Sequence, residues 1–253
     1  MASISAVGIQ LRQHRKQRGM SQLALANAAD STSRYISFIE TGRSRPGREV
    51  ILRIANALNL TFRDSNELLV SAGLPVAFAE RPLEDEEMAP VRRIIQQVLK
   101  KHDPFPAWVI GPGLQFLASN EAAEKVFPGM VGMDPKDLID LWCAPSEHMS
   151  EAERAYIVFQ TMHGLRHEAF HHPHPVFPEL LRQVESYACD FKEPPALSNS
   201  PVMCPTLMVN GQQVRTLSTV MRFDKAVNVT MAEIRVELVF PADDESEAIL
   251  RAL

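Results

Sequence analysis

The sequence predicts two structural classes in one chain: an all-α N-terminal domain of five short helices, and an α+β C-terminal domain with an antiparallel sheet. Three observations predict this. Residues 1–73 show apolar positions at helical spacing between tight-turn residues; residues 91–253 place β-rich runs on either side of a helical middle; and the charge reverses between the two parts. Residues 1–75 hold ten Lys/Arg against five Asp/Glu, whereas residues 76–253 hold sixteen against twenty-six. A basic third on an acidic remainder points to different partners for each, the first a polyanion.

The bulk composition excludes other classes. Of 253 residues, 45% are hydrophobic and 23% charged, as in an ordinary globular protein. No apolar run reaches the length of a membrane span. The N-terminus, MASISAVGIQ, has no basic start and soon meets Arg12, unlike a signal peptide. Cys143, Cys189 and Cys204 are odd in number and lack CxxC spacing, which predicts reduced thiols and a cytoplasmic location.

Taken in order, Val7 and Leu11 give the first helix its i, i+4 face, and Gly19 stops it near Arg18. Ser21 caps a second helix, SQLALANAA, with Leu25, Ala26 and Ala29 inward. Asp30 falls at the following turn. Thr32 caps a third helix with Ile36 and Ile39 inward; Pro46-Gly47 breaks the chain before a fourth, carrying Val50, Ile51, Ile54, Ala55 and Leu58. A fifth, near residues 61–72, buries Phe62, Leu68 and Leu69 and ends at Gly73. The predicted domains are therefore 1–73 and 91–253, with 74–90 (LPVAFAERPLEDEEMAP) as an acidic, proline-bracketed linker.

In the C-terminal part, VRRIIQQVLKKH is an amphipathic helix with Val91, Ile94, Ile95, Val98 and Leu99 on one side. PAWVIGPGLQFLASN reads as strand, Gly-Pro-Gly turn, strand. Helices follow near 119–127, 135–143, 148–170 and 178–190. Asn210-Gly211 between β-rich runs is a hairpin signal, and EIRVELVF is a last alternating strand before an acidic, Ala-rich tail. Strand pair, helices and three further strands predict helices on one sheet face.

Two helices joined by a sharp turn at 29–32, the second short and basic at its end, fit a helix-turn-helix that places its second helix in the major groove. The run SQLALANAADSTSRYISFIETGRSRP resembles the helix-turn-helix of λ-repressor-like XRE regulators, in its Ser/Thr cap, its I-S-x-I-E core and the Gly that follows. Asp30 stands where those regulators commonly have Gly. The resemblance implies base reading by Ser33, Arg34, Ser37 and Phe38, with Arg34 suited to a bidentate guanine contact and Phe38 to a thymine methyl. Gln22, Arg43 and Arg45 are expected at phosphates. Arg15 and Glu40 match a pair that forms an internal salt bridge in such domains. Binding to a double-stranded operator as a homodimer is the expectation, because one module covers too little surface.

FLASNEAAEKVF resembles the start of a PAS-like sensor, and the ordered run ETGRSRP, ERPLEDEEMAPVRRII, PAWVI, LASNEAA, ELVFPAD is similar to MmyB-like ligand-binding regulators. That resemblance implies a PAS-like domain with an apolar cavity and a fatty-acid-like ligand, and no other cofactor. Candidate pocket residues are Trp108, Phe116, Trp142, Phe159, Met162, His163, Arg166, Phe170 and Met208, as apolar, Met-containing linings suit flexible ligands. The same side chains would serve equally as ordinary core.

The stretch HGLRHEAFHHPHP carries an alternative. His163, His167 and His171 share a helical face, with His172 and His174 beyond, so a metal- or haem-dependent sensor is the rival reading. It lacks HExxH and a nearby cysteine, and no metal ligand set is assigned. No catalytic residues are assigned either: the sequence has no G-x-S-x-G elbow, P-loop or dinucleotide fingerprint, and no enzymatic activity is expected.

Overall fold

Helix-capping side chains set the first five elements. In the computed structural model, which describes residues 5–146, 149–191, 206–223 and 226–253, α1 (Ala6–Gln17) begins where Ser5 accepts from the Gly8 N–H. Helices α2 (Gln22–Ala28), α3 (Ser33–Glu40) and α5 (Phe62–Ser71) start at Ser21, Thr32 and Thr61, each accepting a third-residue N–H. Helix α4 (Arg48–Ala57) starts at Gly47 without a side-chain cap. Each such cap contributes about 1 kcal/mol. Gly19 (φ 64°) ends α1, and Asp30 (φ 47°) turns the chain between α2 and α3, a left-handed conformation that Asp tolerates.

The five helices enclose one core. Leu11, Leu25, Ile36, Ile39, Ile54 and Leu69 are at most 1% exposed, each contributing about 1.5–3 kcal/mol on burial. Helix α1 crosses α3 at Gly8, where an added Cβ would lie 2.6 Å from the Ile39 carbonyl oxygen.

The chain divides into two compact units. The first unit comprises the described residues of Met1–Arg81 and of Lys225–Ala232. Residues 74–81 pack rather than dangle. Asn66 accepts from the Ala77 and Phe78 N–H groups and donates to the Phe78 carbonyl, and the Phe62 and Phe78 rings stack 4.1 Å apart. A helical turn at Val229–Glu233 joins them: the Val229 N–H donates to Ala79 O at 2.9 Å and the Thr230 hydroxyl to Arg81 O at 2.6 Å.

The second unit opens with α6 (Ala89–His102), which buries Val91, Ile95 and Leu99. Ile94 was expected on that face but is 47% exposed, since its position lies off the narrow buried stripe. Strands β1 (Ala107–Ile110) and β2 (Phe116–Ser119) form the first hairpin. Asn120 then caps α7 (Glu121–Val126), its side-chain oxygen accepting from both the Ala123 and the Ala107 N–H. Three helices follow, α8 (Pro135–Cys143), α9 (Glu151–His171) and α10 (Phe177–Ala188). Strands β3 (Thr206–Val209), β4 (Gln212–Arg222) and β5 (Arg235–Pro241) complete an antiparallel sheet of order β2-β1-β5-β4-β3. Asn210 and Gly211 take φ 51° and 78°, as a two-residue hairpin turn requires.

The tail read only as acidic and Ala-rich forms α11 (Asp244–Arg251), capped by Asp243. Its Leu250 is fully buried against Val209 and Val214. The sheet face opposite the Trp108 and Glu237 side chains is covered too. Val109 and Val236, register partners that alternate with Trp108 and Glu237, are also fully buried.

Candidate functional sites: a DNA-reading helix and an apolar cavity

Helix α3 exposes Arg34, and its Cζ lies 5.2 Å from the Phe38 ring centroid one turn later. Arg43, just past the helix, places its Cζ 6.0 Å from the same ring. Ser33 and Ser37 are half-buried on this helix. Arg43 is fixed by its own N–H, which donates to the Phe38 carbonyl at 2.8 Å, after Gly42 turns the chain at φ 75°. Arg34, Arg43 and Arg45 are exposed. The result is a cationic surface with an aromatic ring at its centre, suited to an anionic polymer with base edges.

Behind it lies a buried charge cluster. Glu40, 0% exposed, accepts from Arg15 Nε at 2.6 Å, Arg15 Nη2 at 2.9 Å, Gln22 Nε2 at 2.9 Å and Arg12 Nε at 3.3 Å. Burial alone would raise the Glu40 carboxyl, but these hydrogen bonds and the Arg15 charge hold it below the usual carboxylate range. Arg15 also donates to the Met20 carbonyl at 2.8 Å. Thus α1, the α1–α2 turn, α2 and α3 are tied at one point. The Arg15–Glu40 pairing matches the sequence expectation. Gln22, expected at a phosphate through its side chain or its backbone, donates one side-chain N–H to Glu40.

The second site is a cavity of about 270 Å³ in the C-terminal unit. Its floor is the sheet: Trp108, Phe116, Thr216, Ser218, Glu237 and Val239. Helices α8 and α9 wall it with Leu141, Trp142, Ile157, Gln160 and Thr161, and Phe127 and Met130 close one side. Trp108 meets Phe116 edge to face at 6.3 Å, and Phe116 meets Trp142 likewise at 6.2 Å. Burial pushes the Glu237 carboxyl up, although Ser218 hydrogen-bonds to it and Arg235 lies near. Arg235 itself pairs with Glu168 at 2.7 Å, with Arg222 at 3.7 Å from the same carboxylate. Burial pushes the Cys143 thiol up to about 11, which leaves it an unreactive core group.

Three of the expected pocket residues, Trp108, Phe116 and Trp142, line this cavity. Phe159 instead faces Phe191, ring centroids 6.4 Å apart, and Met162 packs on the main core. His163 and Phe170 are exposed, Phe170 by 70%, and Arg166 is exposed and paired with Glu185 at 2.9 Å. These five were misplaced because α9 has little amphipathic contrast, so its cavity-facing side is hidden in the sequence. Met208 lies on β3, but its side chain is outside the described residues. His167 and His171 lie on the exposed face with ring centroids 4.4 Å apart and planes tilted by 51°, and no group of three metal-binding side chains occurs among the described residues. The sequence reading missed Glu237, Ser218 and Gln160. Period-two alternation would have found Glu237: Arg235, Glu237 and Val239 share the cavity face.

Both regions match known families. Residues 91–253 match the MmyB-like transcription regulator ligand binding domain, and residues 11–64 match a helix-turn-helix family. The chain belongs to the MmyB-like transcription regulators, and it is a DNA-binding transcription regulator with a ligand-binding domain. Among solved structures it is similar to the clp gene regulator ClgR from C. glutamicum, with 28% identity over 27% of this chain and 86% of that one, at a TM-score of 0.24. The comparison with curated proteins gave no match. No described helix is long and apolar enough to cross a membrane.

Proposed function

We propose that this regulator binds its operator as a homodimer and that a small apolar, fatty-acid-like ligand in the C-terminal cavity changes operator affinity. The observation that carries the reading is the 270 Å³ cavity floored and walled by Trp108, Phe116, Trp142, Met130 and Ile157. Dry apolar cavities of about 150 Å³ already take up benzene-sized molecules, so this one has room for a longer chain. The strand order β2-β1-β5-β4-β3 with helices inserted after β2 supports a PAS-like sensor.

On the DNA side, α3 enters the major groove. Arg34 donates to guanine, Phe38 packs on a thymine methyl, and Ser33 and Ser37 contact neighbouring edges. Arg43 and Arg45 hold phosphates. Gln22 contributes there only through its backbone N–H at the start of α2, since its amide is occupied.

Coupling needs a ligand that binds two conformations unequally. Strands β4 and β5 both present side chains to the cavity, and the chain joining them supplies Val229 and Thr230 to the helical unit. A coupling of about 1–3 kcal/mol would change operator affinity roughly 5–150-fold. The test is denaturing extraction and mass spectrometry of the purified chain, followed by titration of the recovered molecule into an operator complex. An apolar molecule in stoichiometric amount that shifts the operator Kd supports the proposal. Extracted zinc or haem, or a ligand without effect on DNA, overturns it.

A further inference from the structure

The cavity is not uniformly apolar, and the sheet brings three of its polar-bearing side chains side by side. Trp108 and Glu237 are register partners on β1 and β5, and such directly opposed side chains stand about 4.5–5.5 Å apart at Cβ. Ser218 on β4 hydrogen-bonds to the Glu237 carboxyl. From α9, Gln160 borders the same space. Two of these groups are donors without acceptors among the described residues: Trp108 Nε1 and Gln160 Nε2 are both buried and make no hydrogen bond there. The indole N–H can only donate, so no rearrangement of its own role satisfies it. Trp108 is 5% exposed, so its indole is cut off from bulk water. Buried polar groups are nearly always paired, so an orphaned pair of donors bordering a cavity points to a missing acceptor.

The charges exclude one kind of acceptor. Among the described residues lining the cavity, Glu237 is the ionisable side chain; no Lys, Arg or His is among them. The nearby Arg235 is engaged by Glu168 at 2.7 Å, and Arg222 is also drawn to Glu168. A carboxylate buried here would therefore find no free counter-ion among the described residues and would lie beside another carboxyl group. An uncharged oxygen meets no such penalty. Burial pushes the Glu237 carboxyl up, so it too is less hostile to an uncharged oxygen than to a second carboxylate.

We infer that the cavity recognises an uncharged carbonyl on an apolar chain, a long-chain amide or ester, with Trp108 Nε1 and Gln160 Nε2 donating to its oxygen and Glu237 alongside. This deepens the ligand reading above and rests on it.

Matched probes test it: decanamide, methyl decanoate, decanoate and decane, titrated calorimetrically into the delipidated full-length chain at pH 8. The expected result is that the amide and the ester bind at least tenfold more tightly than decanoate. Lowering the pH towards 5 should narrow that gap, since carboxylic acids regain their proton near pH 4–5. Trp108→Phe keeps a ring and removes the donor; it should weaken decanamide about tenfold more than it weakens decane. Decanoate binding as tightly as decanamide in the wild type at pH 8 overturns the inference without any variant. Decane binding with no preference among the other three refutes the carbonyl site while preserving the apolar cavity. Failure of all four probes to bind refutes both.

Discussion

Replacing Glu40 with alanine removes the acceptor on which Arg12, Arg15 and Gln22 converge, and the loss can be sized from the geometry. Arg15 has 11% of its side chain exposed and would keep its charge with no counter-ion, only the Met20 carbonyl. Breaking a buried pair from one side costs about 3–5 kcal/mol. Arg12 is 42% exposed and regains water, so the low end, about 3 kcal/mol, applies. That is a large share of the roughly 5–15 kcal/mol that holds a domain folded. Both tryptophans, Trp108 and Trp142, belong to the C-terminal unit. Far-ultraviolet circular dichroism of the full chain in urea should thus show the helical unit melting earlier, while tryptophan fluorescence keeps its midpoint. The pH dependence has a defined sign. The folded carboxyl titrates below its ordinary range, so its contribution is complete above about pH 4–5 and is lost as pH falls through the folded value. A loss under about 1 kcal/mol, or equal shifts in both signals, would refute the claim that this cluster anchors α3.

Arg34→Ala should cost about 1–3 kcal/mol on the operator and little on unrelated DNA, measured by competition binding; an equal loss on every sequence would make Arg34 a phosphate contact. Arg43→Ala should weaken all DNA alike and reduce the magnitude of the log Kd against log salt slope by about one, and an unchanged slope removes Arg43 from the phosphate set. Gly8→Ala should destabilise the helical unit by about 1–3 kcal/mol, since the new methyl meets backbone oxygens of Ile39 and Glu40 rather than a flexible side chain; wild-type denaturant stability would contradict the close α1–α3 approach. Thr230→Val keeps the shape but loses the hydroxyl that donates to Arg81 O. It should shrink the ligand's effect on operator affinity while leaving ligand binding itself intact, and an unaltered effect would detach this segment from coupling.

What the sequence made legible was local chemistry. Ser21, Thr32 and Gly19 mark helix ends because capping and positive φ depend on one residue and its immediate neighbours. Asn210-Gly211 is legible for the same reason. The failures are all questions of which neighbour an element meets. Ile94 is apolar and helical but faces away. Glu237 on β5 borders the cavity with Val239; period-two alternation puts the two on one face, and the packing of helices makes that face the lined one. Gln22 was assigned a phosphate from its place at a helix start, and it is drawn to Glu40 by a contact eighteen residues away. Residues 226–232 carry no local signal that they pack with a unit that begins far upstream.

The two proposed sites impose a constraint on each other. If ligand and operator act on one conformational equilibrium, linkage requires operator DNA to change ligand affinity by the same factor that ligand changes operator affinity. A cavity whose donors lack acceptors is suited to such coupling, because the unpaired Trp108 and Gln160 groups make the empty conformation costly by about 1–3 kcal/mol each. That range is comparable to an ordinary allosteric coupling energy. A ligand oxygen that satisfies them therefore supplies differential binding at the strands that lead into Val229 and Thr230. A purely apolar molecule would fill the same volume yet leave the donors unpaired, and so should occupy the cavity with a smaller effect on DNA.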